Sequence, residues 1–242
     1  MIELVGFDGD DTLWHSEGYY QDASAEYERI VARYVDLADQ RLHDHLLAAQ
    51  RRDLAVFGYG AKGMTLSMLE AAIEITDARI SATDLQRIIA IGKQVLAHPV
   101  ELLPGIRAAV EAVAAHHRVV LITKGDLIHQ EQKVANSGLA DLFQRIEIVS
   151  EKGERAYQRV LDECQVPAER FAMVGNSLRS DIAPVCRLGG WGVHVPYHVT
   201  WAHELDTDFI DEQARVIRVE SADAIAAAVA ELAERAQAQA PA

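Results

Sequence analysis

Ile2-Glu3-Leu4-Val5-Gly6-Phe7-Asp8-Gly9-Asp10-Asp11-Thr12 is the stretch that decides how the rest of the chain is read. Its largely apolar first half predicts a buried strand over Ile2 to Phe7. Carboxylates gathered at the end of a buried strand are costly unless something neutralises them. Asp8 and Asp10, with one residue between them where strand gives way to loop, can aim at one point in space. There one can attack while the other moves a proton, with a hard cation balancing both charges. Taken alone, the tetrad reads as a solvated turn, because Asp and Gly are ordinary turn residues. Residues further along the chain reverse that reading.

From Glu17 to about Ala97 the sequence is rich in Ala, Leu, Arg, Glu and Gln. Apolar residues recur there at three and four (Ile30, Val31, Tyr34, Leu37, then Leu42, Leu46, Leu47). That periodicity predicts helices and no strand. Four are expected, separated near Asp39, near Phe57–Gly63 and near Asp77–Thr83, with His98-Pro99 ending the last. From Leu103 the texture changes. Helices are expected from Pro104-Gly105 through Ala115, over Leu127–Ser137, Glu154–Cys164 and Asp181–Leu188, and over Ala222–Ala236. Strands are expected at Val119–Ile122, Arg145–Val149, Phe171–Val174, Trp191–Val195 and Val216–Val219. Strands alternating with helices imply an α/β fold, a Rossmann-like parallel sheet covered on both faces. Ligands of such sheets bind at the carboxyl ends of the strands. The predicted division is a core of residues 1–16 and 99–242, with residues 17–98 inserted as a mainly α-helical domain.

Four strand ends carry polar residues suited to one anionic site: Asp8 and Asp10; Thr123 with Lys124 and Gly125; Lys152; and Gly175-Asn176-Ser177 leading to Asp181. A parallel sheet brings all four to one edge. This order resembles the haloacid dehalogenase superfamily of aspartyl-nucleophile hydrolases, marked by D-x-D-x-T, a Ser/Thr, a Lys and an acidic G-[D/N]-x-x-x-x-D. The resemblance spans residues 1–14 and 103–195, and the helical insert stands where that superfamily places its cap. It implies that Asp8 is the nucleophile, forming an aspartyl-phosphate, and that Asp10 protonates the leaving oxygen and later activates water. It further implies that Thr123 and Lys152 hold the phosphoryl group; Lys124, directly after Thr123, either adds a positive charge there as a phosphate contact or is a solvent-facing loop lysine. Mg2+ would be held by Asp8, the main-chain carbonyl of Asp10 and Asp181. Unaided phosphate monoesters hydrolyse so slowly that enzymes reach accelerations of about 10^21-fold, of which general acid–base help supplies roughly 10^2–10^4. Covalent catalysis and a metal plus a lysine are suited to the remainder. Relatives that cleave carbon–halogen bonds usually lack the second acid and need no metal, because halide leaves unprotonated. Asp10 and Asp181 therefore favour a phosphatase. The alternatives are a dehalogenase and a catalytically idle binding protein on the same fold.

Departures and weaker signals complete the reading. Asn176 stands where many relatives carry an acid, and is expected to bind a metal water or orient Lys152. Gly153 follows Lys152 where Pro is common. Gly58-Tyr59-Gly60-Ala61-Lys62-Gly63 matches G-x-G-x-x-G, but without a preceding strand it is read as an inter-helix turn, with Tyr59 and Lys62 as candidate substrate contacts. Trp14 is expected to form a wall between core and cap or to stack on substrate. Asp11 is assigned a structural role. His43 and His45, two apart, lie on different sides of a helix, and His194, His198 and His203 are spread over a loop, so no zinc site is expected.

With 242 residues there is length for one sizeable core plus an insert. The formal net charge of −14 argues against nucleic acid as a partner, while leaving a small phosphorylated metabolite open. No apolar run is long enough for a membrane span, and Glu3 and Asp8 stand where a secretory leader would be basic or apolar. A cytoplasmic location is expected. Cys164 and Cys186 lack metal-type spacing and are expected as buried free thiols. Nothing in the sequence sets the oligomeric state.

Overall fold

Leu4, Val5 and Phe7 are all fully buried, as a strand covered on both faces requires. In the computed structural model, which describes residues 1–35, 41–198 and 215–239, they form β1 (Leu4–Phe7). Five further strands complete the sheet: β2 (Arg118–Lys124), β3 (Arg145–Val149), β4 (Phe171–Gly175), β5 (Trp191–His194) and β6 (Val216–Arg218). All pairings are parallel, in the order β3-β2-β1-β4-β5-β6. The chain winds outward from β1 to β3, then returns to the other side of β1 for β4. That reversal puts the topological switch point beside the end of β1, where open α/β sheets bind ligands.

Side chains alternate across the sheet with the period of two that strands impose. Val5, Phe7, Leu121, Ala172 and Val174 pack on one face with α5 (Ile106–Ala114) and α9 (Ile225–Ala238). Leu4, Val120, Ile122, Phe171 and Met173 pack on the other with α7 (Glu154–Cys164). Gly6 belongs to this second face. A Cβ there would lie 2.8 Å from both the Met173 sulfur and the Phe171 ring, so the strand interior takes glycine because the neighbouring β4 side chains fill the space. The remaining helices of this unit are α6 (Leu127–Ser137), from Gln130 on, and the short α8 (Ala183–Arg187). Cys164 and Cys186 are both buried, and neither forms a disulfide among the described residues. Among the described residues no helix is long and apolar enough to cross a membrane.

The expected helix Asp181–Leu188 begins differently. Residues Leu178–Ile182 form a wide turn in which the Ile182 N–H reaches the Ser177 carbonyl at 3.3 Å, an i to i+5 contact. The Ser177 hydroxyl accepts from the Ser180 N–H, and the Asp181 carboxylate accepts from the Ser177 N–H at 3.0 Å. Pro184 then starts α8 in the position where its missing N–H is harmless. Local side-chain bonds outcompete the regular helix here, and widened turns of this kind recur at functional sites.

A second compact unit comprises Gly18–Pro99 together with Gly125–His129. Its helices are α1 (Glu17–Val31), α2 (Arg41–Phe57), α3 (Ala61–Ile75) and α4 (Ala82–Ala97). The break expected near Asp39 lies outside the described residues. Tyr27, Ile30, Leu46, Met68, Ala72 and Ile88 form its core. Ser81 caps α4 by accepting the Asp84 N–H at 3.1 Å. The helix stops at His98, whose extended backbone is the one that Pro99 demands.

The glycine-rich loop is an inter-helix turn. Gly58 (φ 72°) and Gly60 (φ 120°) take conformations that side chains resist. A Cβ on Gly63 would meet the Gly58 carbonyl at 2.8 Å. The Asp126 carboxylate already occupies the start of α3. It accepts the Lys62 N–H at 3.1 Å and lies 3.4 Å from the Lys62 ammonium. The third glycine thus serves packing, and the first two serve a turn closed by the chain's own carboxylate. A Cβ on Gly60 would stand 2.7 Å from Asp126 Oδ2. Gly60→Ala is therefore expected to cost roughly 1–3 kcal/mol. Thermal unfolding should show it as a Tm lowered by several degrees, and a Tm within about a degree of wild type would mean that the loop relaxes freely.

Candidate active site

Asp8 is the first residue past β1, and its N–H is fixed to the Val174 carbonyl at 2.9 Å. Phe7 is in register with Leu121 of β2 and Val174 of β4, so Asp8 leaves the sheet between two strands that run on past the end of β1, β2 to Lys124 and β4 to Gly175. Lys152, three residues past β3, turns its ammonium back onto the Asp8 carboxylate and onto Asp181 Oδ1 at 2.8 Å. All three are deeply buried: Asp8 is 6% exposed, Lys152 4% and Asp181 1%.

Two carboxylates thus share one ammonium in a place without bulk water. Burial, reinforced by repulsion from Asp181, pushes Asp8 up to about 7 against the pull of Lys152. Burial alone would lower Lys152, but the Asp181 and Asp8 carboxylates outweigh it and hold the ammonium above its usual range. Asp181 can approach so closely because residue 175 is glycine, where a Cβ would lie 2.3 Å from the Asp181 carboxyl carbon.

Thr12 and Asn176 close another side of Asp8. The Thr12 hydroxyl lies 3.1 Å from Asp8 Oδ2 and 3.3 Å from Asn176 Oδ1, and accepts the Asn176 N–H at 3.0 Å. The Asn176 side chain therefore meets Thr12, while Lys152 is oriented by the two aspartates. Thr123, near the end of β2, has a buried hydroxyl that finds no hydrogen-bond partner among the described residues. A Cβ on Gly9 would lie 3.0 Å from that hydroxyl and 2.9 Å from the Trp14 ring, so the Asp8–Asp10 turn passes close over Thr123 only because its middle residue is glycine. The Lys124 ammonium donates to the Ser180 hydroxyl at 2.8 Å and lies 3.7 Å from Glu151.

Asp10 has a different environment from Asp8. Its Oδ1 accepts from the Trp14 indole N–H at 2.6 Å and the Lys133 ammonium at 2.8 Å, and its Oδ2 from the Gln130 amide at 2.9 Å. Burial would raise this carboxyl, but Lys133, then Trp14 and Gln130, outweigh it and hold Asp10 below the usual carboxylate range. Two aspartates two residues apart are thus driven in opposite directions by their surroundings. Sequence reasoning missed Gln130 and Lys133. Their spacing on one face of α6 was the available signal, but polar residues three apart on a helix ordinarily face water.

Trp14 is 1% exposed inside the hydrophobic core, where no stacking surface is open, and its N–H is turned to Asp10. Asp11 is structural, as expected. It sits at φ 61° and its carboxylate accepts the Ser16 and Glu17 N–H groups at the start of α1. Lys62 pairs with Asp126 within the helical unit, and Tyr59 lies half-buried on the bend between α2 and α3. Among the histidines, His43 meets Glu28, His45 meets Glu74 and His194 meets the Asn176 carbonyl. His203 lies outside the described residues.

Among the described residues no three His, Cys, Asp or Glu side chains gather as a metal site. The Asp10 carboxylate is taken up by its three donors, so the carboxylates that share a partner are Asp8 and Asp181. That pair still fits a hard cation. Both are oxygen donors, they are buried together, and with Lys152 they leave one negative charge over.

The sequence matches the haloacid dehalogenase-like hydrolase family over residues 2–185. No curated protein matches it. A haloacid dehalogenase-like family hydrolase from Xanthomonas campestris is 54% identical, with a TM-score of 0.88 over 99% of this chain and 95% of its own. A 2-haloacid dehalogenase from Pseudomonas syringae pv. Tomato is 20% identical (TM-score 0.60, 96% of this chain and 99% of that one). A predicted phosphoglycolate phosphatase from Haemophilus somnus is 15% identical (TM-score 0.61, 93% and 96%). The last two share the fold with this chain about equally, so overall shape does not separate the two chemistries.

Proposed function

The chain belongs to the haloacid dehalogenase-like hydrolases, and from that premise we propose that it is a Mg2+-dependent phosphatase, acting in the cytoplasm on a small phosphorylated metabolite. The observation that carries this reading is the second carboxylate. Asp10 is held by three donors two residues from Asp8. A halide would leave without a proton, whereas an alkoxide leaving from phosphorus needs one.

In this reading an oxygen of Asp8 attacks phosphorus, and Asp10, which its three donors hold ionised until a phosphate monoanion brings a proton to it, passes that proton to the departing oxygen. Asp10 then takes a proton from the water that attacks the aspartyl-phosphate. Lys152 would neutralise phosphoryl oxygens as well as Asp8, and the buried Thr123 hydroxyl, without a partner among the described residues, would give them a hydrogen bond. Asp8, Asp181 and the Asp10 carbonyl would hold Mg2+, which when bound offsets the negative charge of the phosphoryl group. The helical unit of residues 18–99 is proposed to carry the side chains that select the leaving group.

A phosphate-release screen over a panel of phosphorylated metabolites tests this. At least one member should be hydrolysed with Mg2+ and lose nearly all turnover in EDTA. Mg2+ at about a hundred times its Kd should also raise the Tm through roughly 2.7 kcal/mol of binding free energy. Metal-independent halide release from a 2-haloacid, with no phosphate release, would overturn the reading.

A further inference from the structure

Lys133 is a largely buried ammonium, its side chain 10% exposed, that the chemistry above does not use directly. It lies 2.8 Å from Asp10 Oδ1 and 3.2 Å from the Ser16 hydroxyl. Three residues earlier on the same face of α6, Gln130 donates its amide to Asp10 Oδ2 at 2.9 Å and to the Lys124 carbonyl at 3.0 Å. The Trp14 indole completes the set from within the Asp10 loop. Burying an ammonium and an amide around one carboxylate is expensive for a structural purpose, which apolar residues of similar volume would serve as well.

A carboxylate offers about four acceptor positions. Trp14 and Lys133 take both on Oδ1, and Gln130 takes one on Oδ2. The position left over is on Oδ2. We propose that Lys133, with Gln130 and Trp14, is a positioning residue that fixes Asp10 so that Oδ2 alone exchanges the proton with the leaving oxygen and then with water. Lys133 touches neither substrate nor reacting atoms. It acts by denying Oδ1 to the proton and locking the carboxylate's rotation. The inference rests on the phosphatase reading and deepens it.

The balance of the two steps sets the test. In the first, the bond from phosphorus to Asp8 forms as the bond to the leaving oxygen breaks, and an alkoxide takes a proton from Asp10. In the second, water attacks phosphorus, its proton passes to Asp10, and the Asp8–phosphorus bond breaks to restore the carboxylate. p-Nitrophenolate needs no proton to leave, so with p-nitrophenyl phosphate only the second step depends on a well-placed Asp10.

Lys133→Met should therefore release about one equivalent of nitrophenolate per chain at the wild-type rate, and then turn over more slowly by roughly 10^2–10^4-fold. Gln130→Met, which leaves both Oδ1 donors in place, should show the same burst with a smaller loss, about tenfold, and serves if the lysine variant fails to fold. Lys133→Arg, which keeps a charged donor, should recover part of the steady-state rate. A first turnover slowed in proportion to the steady state would overturn the proposal, since a generally damaged site slows both. Unchanged steady-state turnover in both Met variants would do the same. Either result leaves the nucleophile's role standing, because that role is read separately from Asp8→Asn.

Discussion

Asp8→Asn is expected to abolish phosphate release, lowering kcat by roughly 10^4-fold or more, as removal of a covalent nucleophile does elsewhere. The amide keeps the volume and the Val174 backbone bond, so the loss should come without unfolding. Stability should move the other way. Burial and Asp181 raise Asp8 to about 7 in the folded chain. A raised carboxyl contributes its full stability below its ordinary value and loses it as pH climbs through the folded value. By pH 8, without a cation, ionised Asp8 opposes folding, and Asn removes that charge. The Tm of Asp8→Asn relative to wild type should therefore rise between pH 5 and pH 8 in EDTA, and the gain should shrink when Mg2+ is added. Equal phosphate release by the two proteins would refute the nucleophile assignment. A Tm difference that does not change with pH would refute the account of the charge.

Positions fixed by a strand end were legible in the sequence. Asp8, Thr123, Lys152 and Asp181 each come after an apolar run, and a parallel sheet brings the ends of such runs to one edge whatever the side-chain details. The helix bounds Leu127–Ser137 and Glu154–Cys164 and the strand bounds Arg145–Val149 agree to the residue, because Gly, Pro and a change of period flank them. Roles that depend on which way a side chain turns were not legible. Gln130 and Lys133 sit in a polar stretch, His129-Gln130-Glu131-Gln132-Lys133, where hydrophobic periodicity is silent about which polar residues face inward. Trp14 reads as bulk apolar surface until its ring orientation reveals a donor aimed at Asp10. Lys124 comes directly after Thr123, and successive residues of a strand face opposite ways, which carries it to Ser180. The wide turn at Leu178–Ile182 depends on bonds from the Ser177 and Asp181 side chains, which no propensity scale includes.

Lys152→Ala tests whether the buried charges form one interdependent group. In wild type its ammonium is the shared partner of Asp8 and Asp181. Truncation leaves two buried carboxylates facing each other, and breaking a buried pair in this way costs roughly 3–5 kcal/mol. For a chain of this size that corresponds to a Tm lowered by about 10 °C, at roughly 2–4 °C per kcal/mol. The deficit should be largest at pH 8 and should fade toward pH 5, because without the lysine Asp8 takes up a proton more readily still and one of the two charges disappears. A divalent cation offers a second way to neutralise the pair, so Mg2+ should raise the Tm of Lys152→Ala by more than it raises that of wild type. Turnover should not recover with it, since an ammonium that meets the phosphoryl oxygens is still missing, at a loss of roughly 10^2–10^3-fold. A lysine held only for packing would give another pattern: a similar Tm deficit at every pH and the same response to Mg2+ as wild type. That pattern would separate Lys152 from the two aspartates and leave their shared negative charge to be balanced by the cation alone.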